Sequence, residues 1–354
     1  MIVGIDEVGR GCERTDAKIL TQQGYKRYDQ LKETDKVLSY NDIGELIWQN
    51  INKLYFYNED MTLYEMRGRT HHIVVTDNHK FTMIKTLFGK NEKRGRVIGH
   101  KLIYQTLDQA RAQNYIPRTG KWIGQTPKYF ILPTDTNIKI LIDLWVQFFG
   151  IWLAEGCTTQ TKRKNRFGKT FHIEYKVIIS QCKNKEKILK IQALLNKLPW
   201  KFNYNGGNFS ISNKALCCYL SQFGKSSQKY IPNEIKDLSI PLLKQLFKWM
   251  VLGDGNVYIP KQGKGYGNAK LPSITYYTCS KKLANDVEEI IIKMGYSFHT
   301  QIKKNKEFKG YKANFPSYRI RLCRYSTYDV RMLKRNIKKL TKKTKVLQTF
   351  SLIC

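Results

Sequence analysis

Two stretches of the chain carry the same run of apolar positions closed by an acid and a glycine. One is Phe148-Phe149-Gly150-Ile151-Trp152-Leu153-Ala154-Glu155-Gly156, the other Phe247-Lys248-Trp249-Met250-Val251-Leu252-Gly253-Asp254-Gly255. Each apolar run is helix-like, and the glycine that follows predicts a helix C-terminus with the acid at its mouth. The downstream text repeats as well: 178–183 leads into a helical stretch at 186–198, and 277–282 into one at 283–294. Either copy alone reads equally well as an amphipathic core helix with an acid near its end. Both together, at a spacing suited to a supersecondary unit rather than a solenoid, point to a duplication able to form a pseudo-dimer.

If the two helices pack side by side, Glu155 and Asp254 meet. Carboxylates held that close repel each other, and a divalent cation of the Mg²⁺ type, with its preference for oxygen ligands, is the usual remedy. Such a pair can build a metal centre for phosphodiester hydrolysis.

The N-terminal third has a different pattern. A short apolar strand over 1–11 ends in a charged Gly-Arg-Gly turn, and from Cys12 through 40 apolar and polar residues alternate as strands do. Polar connections containing Gly or Pro at 90–96 and 117–133 predict boundaries. No run of about 18 apolar residues appears, so no membrane span is expected. Asp6, Glu7 and Arg10 interrupt what would be the core of a signal peptide.

Charge changes the picture most. Lys and Arg number 62 against 28 Asp and Glu, a formal net charge of +34. That field attracts polyanions and names nucleic acid as the expected partner, although part of the excess would follow from any Lys-rich proteome. Tyrosines interleaved with basic residues around 261–277 and 306–325 suit strands that face a groove. The eight cysteines show neither zinc spacing nor a disulfide framework, which fits a reducing, cytoplasmic setting.

Over roughly 135–330 the duplicated motif resembles the two-motif LAGLIDADG homing endonucleases. The resemblance implies an α/β (α+β) pseudo-dimer of two αββαββ repeats, at about 140–240 and 241–330 within a domain of 126–335. It further implies helices packed on small residues (Gly150, Gly156, Gly253, Gly255), with Glu155 and Asp254 as metal-binding catalytic acids. Mg²⁺ would be the cofactor, and double-stranded DNA, held in the major groove by two antiparallel sheets, the substrate. The second copy departs at Trp249, which stands where Gly150 stands in the first. Lys229-Tyr230-Ile231-Pro232 looks like the family's Lys-x-Ile-Pro element, which makes Lys229 the lysine that polarises water or stabilises the phosphorane. Its plain alternative is one more surface lysine, and Lys303 and Lys304 are weaker candidates in the second repeat.

Gly4-Ile5-Asp6-Glu7-Val8-Gly9-Arg10-Gly11 resembles the first motif of ribonuclease HII, in which the Asp and Glu reach a metal centre and the Gly-Arg-Gly turn recognises the ribonucleotide. The later motifs are not recognisable, so ribonuclease H activity is not expected from this chain alone. From Cys12 onward the text resembles the N-terminal splicing block of inteins, and Thr76-Asp77-Asn78-His79 resembles their Thr-x-x-His block. This implies a partial all-β Hint domain over 12–125, interrupting a ribonuclease HII host after Gly11. By that resemblance the Cys12 thiol attacks the Gly11 carbonyl to give a thioester. His79 protonates the departing nitrogen, and Thr76 helps hold the oxyanion. Singly, Cys12 reads as a core thiol and His79 as a loop residue. The C-terminal splicing residues are not recognisable, so 336–354 is expected to be a basic tail, and another chain, a separate C-terminal intein or ribonuclease fragment, would complete splicing.

Three functions stay open on the sequence. They are a homing endonuclease that cuts the empty host-gene site as a monomer with internal pseudo-two-fold symmetry, a self-processing fragment with a decayed nuclease, and a DNA-binding module without chemistry.

Overall fold

In a computed structural model the described residues run from 18 to 352, apart from 42, 56–58, 68–71, 90–96, 107–108, 110–113, 118, 165–167, 169–170, 260–271, 304–306, 309–310, 313–314, 324–327, 332–336, 340–343 and 347–348. Asp6, Glu7, Arg10 and Cys12, the connection at 90–96 and Lys304 lie outside them. The chain divides into two compact units, one of residues 1–123, 291–299 and 323–354, the other of 124–290 and 300–322.

The first unit is built on strands. One sheet orders Lys121–Trp122, Glu45–Tyr55, Lys36–Tyr40, Lys18–Thr21 and Gly24–Arg27, and a second orders Tyr328–Arg331, Asn114–Pro117, Phe81–Phe88 and Val97–Gln105. Apolar clusters gather Ile19, Leu31, Val37 and Ile51 in one place, and Met66, Ile73, Val75, Phe81 and Met83 in another. The stretch expected as a basic tail is different: Ile337–Lys339 pairs with Leu63–Arg67, Thr344–Val346 with Glu59–Met61, and Thr349–Leu352 with Glu45–Tyr55. The ladder uses only backbone groups, and Lys338 and Lys339 are both exposed, so a basic composition is compatible with a strand.

From Ile142 to Cys323, for the most part within the second unit, one order of elements occurs twice. Helix α1 (Ile142–Glu155) is followed by strands Gly156–Lys164 and Phe171–Ser180, α2 (Lys185–Leu195) and strands Phe202–Asn205 and Asn208–Ser212. Two short helices, α3 (Lys214–Ser221) and α4 (Asn233–Lys236), lead to α5 (Ile240–Asp254). Then come Gly255–Tyr258, Ser273–Thr278, α6 (Lys281–Lys293) and the main strands Ser297–Lys303 and Ser317–Cys323. In both sheets the spatial order is first, second, fourth, third strand of the repeat, and the first two strands pair antiparallel from Gly156↔Ile179 in one and Gly255↔Tyr276 in the other. The αββαββ expectation therefore describes this stretch, with α3 and α4 added between the repeats.

Helix α1 is buried nearly all round: Trp145, Val146, Phe148, Phe149, Ile151 and Trp152 are fully covered. Phe130 stacks on Trp145 at 3.9 Å, and Phe223 meets both Phe149 and Trp152 edge-on. Helix α5 buries Leu242, Leu243, Leu246, Phe247, Met250 and Val251 while leaving Lys244 and Lys248 exposed. Asn184 caps α2 and Ser280 caps α6, each accepting the backbone N–H three residues on. Among the described residues no helix is long and apolar enough to cross a membrane.

Candidate active site

Helices α1 and α5 approach until backbone meets backbone. A Cβ added at Gly150 would lie 2.7 Å from the carbonyl oxygen of Leu246 and 3.0 Å from Trp249 Cβ. One added at Gly253 would lie 2.4 Å from Ala154 Cβ and 3.0 Å from Glu155 Cγ. Trp249 does not hold the helices apart, because its Cβ rests on the space that Gly150 leaves. The two copies thus use small residues at different turns, Gly150 in one and Gly253 in the other.

Each helix ends at its acid, and the next residue is already the first of a strand. Gly156 and Gly255 have extended rather than left-handed backbone, with φ of −94° and −117°. Their need for glycine is steric: a Cβ would fall 2.2 Å from Trp152 Cδ1 at the first and 2.6 Å from the Val251 carbonyl oxygen at the second. The sharp helix-to-strand turn places Glu155 and Asp254 at equivalent positions.

The electrostatics agree. Asp254 is pushed up to about 6, first by the protein packed around it and then by the Glu155 charge, against the pull of Lys229 and Lys187. Glu155 is also raised, by burial, with Lys187 and Lys229 opposing. Water still reaches Asp254, so screening tempers its shift.

Lys229 is 4 % exposed and sends its ammonium to the carbonyls of Trp152 (2.9 Å), Leu153 (2.9 Å) and Gly156 (2.6 Å), above the Trp152 ring at 4.7 Å. Trp152 and Leu153 lie in the last turn of α1 and Gly156 just past it, and the Trp152 carbonyl also accepts the Gly156 N–H; a cation at this end complements the helix dipole. Burial lowers Lys229 to about 8, with Asp254, Cys157, Glu155 and Cys279 supporting its charge. It is no surface lysine. Its protons go to the backbone on either side of Glu155, a placement that the Lys-x-Ile-Pro resemblance did not foresee.

Three neighbours were not singled out from the sequence. Gln181 Nε2 donates to Glu155 Oε1 at 3.4 Å, and Lys187 Nζ donates to the Gly253 carbonyl at 3.4 Å. Tyr276 is fully buried, its hydroxyl has no hydrogen-bond partner among the described residues, and burial followed by the Asp254 charge raises its pKa well above the usual phenol value. Gln181 stands two residues beyond Ile179, the partner of Gly156, so only the strand register brings it to the acid. Lys303 is exposed at the end of its strand.

Glu155 and Asp254 are hard oxygen donors and fit a Mg²⁺-type ion. Among the described residues no group of three or more His, Cys, Asp or Glu could hold a metal, so the remaining ligands of such an ion would be water or phosphate oxygens. None of the six described cysteines is joined in a disulfide.

In the first unit Thr76 is buried at the end of His72–Thr76, and His79 N–H donates to its carbonyl at 3.3 Å. The His79 ring meets Phe81 edge-on at 4.8 Å. One turn therefore carries both residues.

No protein-family model matches the chain. It is 28 % identical over 303 residues to an ATP-dependent Clp protease proteolytic subunit of Chlamydomonas moewusii, matching 82 % of this chain and 28 % of that protein. To a DNA-directed RNA polymerase subunit beta C-terminal section of Stigeoclonium helveticum it is 25 % identical over 354 residues, matching 91 % and 32 %. The chain thus spans about a third or less of the curated relatives it matches. Similar solved structures include mesophilic variants of the homing endonuclease I-DmoI (15 % identity, 52 % of this chain and 91 % of that one, TM-score 0.35). Others are the meganuclease I-SmaMI bound to uncleavable DNA (14 %, 52 % and 80 %, TM-score 0.30) and the I-LtrWI LAGLIDADG homing endonuclease bound to target DNA (12 %, 51 % and 78 %, TM-score 0.28).

Proposed function

We propose that the chain is a site-specific, divalent-metal-dependent DNA endonuclease carried on a protein insert. The observation that carries this reading is the convergence of Glu155 and Asp254 at the ends of two helices packed through Gly150 and Gly253, where the charge of one acid raises the pKa of the other. A fold does not gather like charges without compensation, and a bound cation supplies it.

Glu155 and Asp254 would hold Mg²⁺, which when bound acidifies a coordinated water and polarises the scissile phosphate. Gln181 orients the Glu155 carboxylate, and Lys229 fixes the backbone from which it projects. Lys187 and Lys229 add positive potential around the two acids, which would favour negative charge developing on a phosphate held there. The net charge of +34 draws duplex DNA to the protein from a distance.

The curated relatives support the insert. A protease subunit and a polymerase subunit have no activity in common, yet each shares most of this chain over about a third of its own length or less. A segment shared by two such unlike proteins fits a portable element better than a part of either activity. With the ribonuclease HII-like text before Cys12, the natural substrate is a ribonuclease HII gene joined across the codon for Gly11. Purified protein incubated with that DNA and Mg²⁺ should make a double-strand cut, and Glu155→Gln and Asp254→Asn should not. Intact DNA with the unmutated chain under these conditions refutes the reading.

The turn that joins Thr76 and His79 favours a second activity of the same chain, thioester formation at Gly11–Cys12. Thiol-induced release of the first eleven residues, lost in Cys12→Ala and His79→Ala, tests it.

A further inference from the structure

The segment that carries Lys229 is held from its far side by the first half of α6. Ser280 Oγ donates to the Lys229 carbonyl at 2.7 Å, and the Ile231 N–H donates to Asp286 Oδ2 at 2.8 Å, both in buried surroundings. Asp286 lies 3.3 Å from Lys236 Nζ, which also donates to Glu289 Oε2 at 2.7 Å. Lys236, Asp286 and Glu289 are 3 %, 4 % and 1 % exposed.

Buried ions of this kind are costly to desolvate, and apolar residues of similar volume often serve stability as well or better. As a device for stability the network is a poor one. What no apolar side chain can do is accept the Ile231 N–H.

We infer that Asp286, steadied by Lys236 and Glu289, is a positioning residue that sets the 229–231 backbone so that the Lys229 ammonium reaches the carbonyls bracketing Glu155. The first repeat's acid is thereby set by a helix of the second repeat. This role in DNA cleavage rests on the nuclease reading, whereas the placement of Lys229 does not.

The test compares two triple variants of the full chain, Lys236→Met/Asp286→Asn/Glu289→Met and Lys236→Met/Asp286→Leu/Glu289→Met. Both lack the buried charges, and only the Asn version keeps an acceptor for Ile231. Cleavage by the Leu version should fall about a hundredfold in kcat, the cost of a small misplacement near the reacting centre, with KM for DNA within about twofold of the Asn version. Acetic anhydride labelling read by mass spectrometry should modify Lys229 in the Leu version and spare it in the Asn version. This labelling reports placement even if the unmutated chain cuts no DNA. Equal Lys229 labelling, or equal kcat in variants of a chain that does cut, overturns the inference. In the unmutated chain, Ile231 N–H should exchange with solvent at least about a hundredfold more slowly than an open amide. Exchange at the open rate overturns the inference without any variant having to fold.

Discussion

The Lys229 ammonium lies 2.9 Å from the Leu153 carbonyl oxygen, so a buried cation closes the last turn of the helix that ends in Glu155. Lys229→Met leaves three buried carbonyls without this donor. The expected loss of stability is roughly 1–3 kcal/mol, and the expected loss of cleavage rate about 10²–10³-fold. Lys229→Arg should not restore the rate, since a planar fork cannot replace a compact ammonium that serves three carbonyls. Thermal melting and single-turnover cleavage of the two variants check this.

Asp254 behaves in the opposite sense to a salt-bridged acid. Its pKa in the fold is about 6 against an ordinary 3.8, so the folded state holds its proton more tightly than the unfolded one. The contribution is fully present below the ordinary value and is lost as pH rises through about 6. Without metal, the unmutated chain should therefore lose stability relative to Asp254→Asn across that window. Millimolar Mg²⁺ should reverse the order by binding only the native pair of carboxylates. Melting temperatures of both proteins from acid to neutral pH, with and without Mg²⁺, decide it; a constant difference rules out the coupling.

Close packing at the helix pair should tolerate no methyl group. Gly150→Ala and Gly253→Ala should each cost about 1–3 kcal/mol through overpacking and depress cleavage by spreading the acids. At Gly99 the nearest atom to an added Cβ is 4.0 Å away, and Gly99→Ala should stay within about 0.5 kcal/mol. Denaturant midpoints for the three variants are the measurement. If all three lie together, contact at the pair does not set the geometry.

Binding to duplex DNA should weaken steeply with salt, the logarithm of affinity falling linearly with that of salt concentration. Glu155→Gln should leave this slope unchanged if, as proposed, the acid holds metal and does not lie on the phosphate track. Fluorescence anisotropy in Ca²⁺ provides the slope, and a flat dependence would remove the electrostatic basis for DNA as the partner.

The helix pair and its acids were legible because the apolar pattern is written twice, and the helices predicted at 186–198 and 283–294 are found as α2 and α6, shifted by a few residues. Gly156 and Gly255 do mark the helix ends, as their place after each acid predicts, but the demand for glycine was not legible: the backbone is extended and the crowding comes from Trp152 and Val251. Gln181 and Lys187 were invisible, since a strand register or a helix placement is needed before either reaches an acid. The strands beyond residue 336 were hidden by their lysines, and their partners lie in the first 70 residues. Such pairing leaves no local trace, because strand propensity reports surroundings more than sequence.

Apart from the strand ends at 297–299 and 323, every described strand pair of the first unit joins residues up to 122 with one another or with residues from 328 onward. A deletion spanning the interior unit would therefore remove none of those ladders. If the proposed cutting activity ceased to be selected, one genomic event could excise it and still leave those strands of the β-framework knit together.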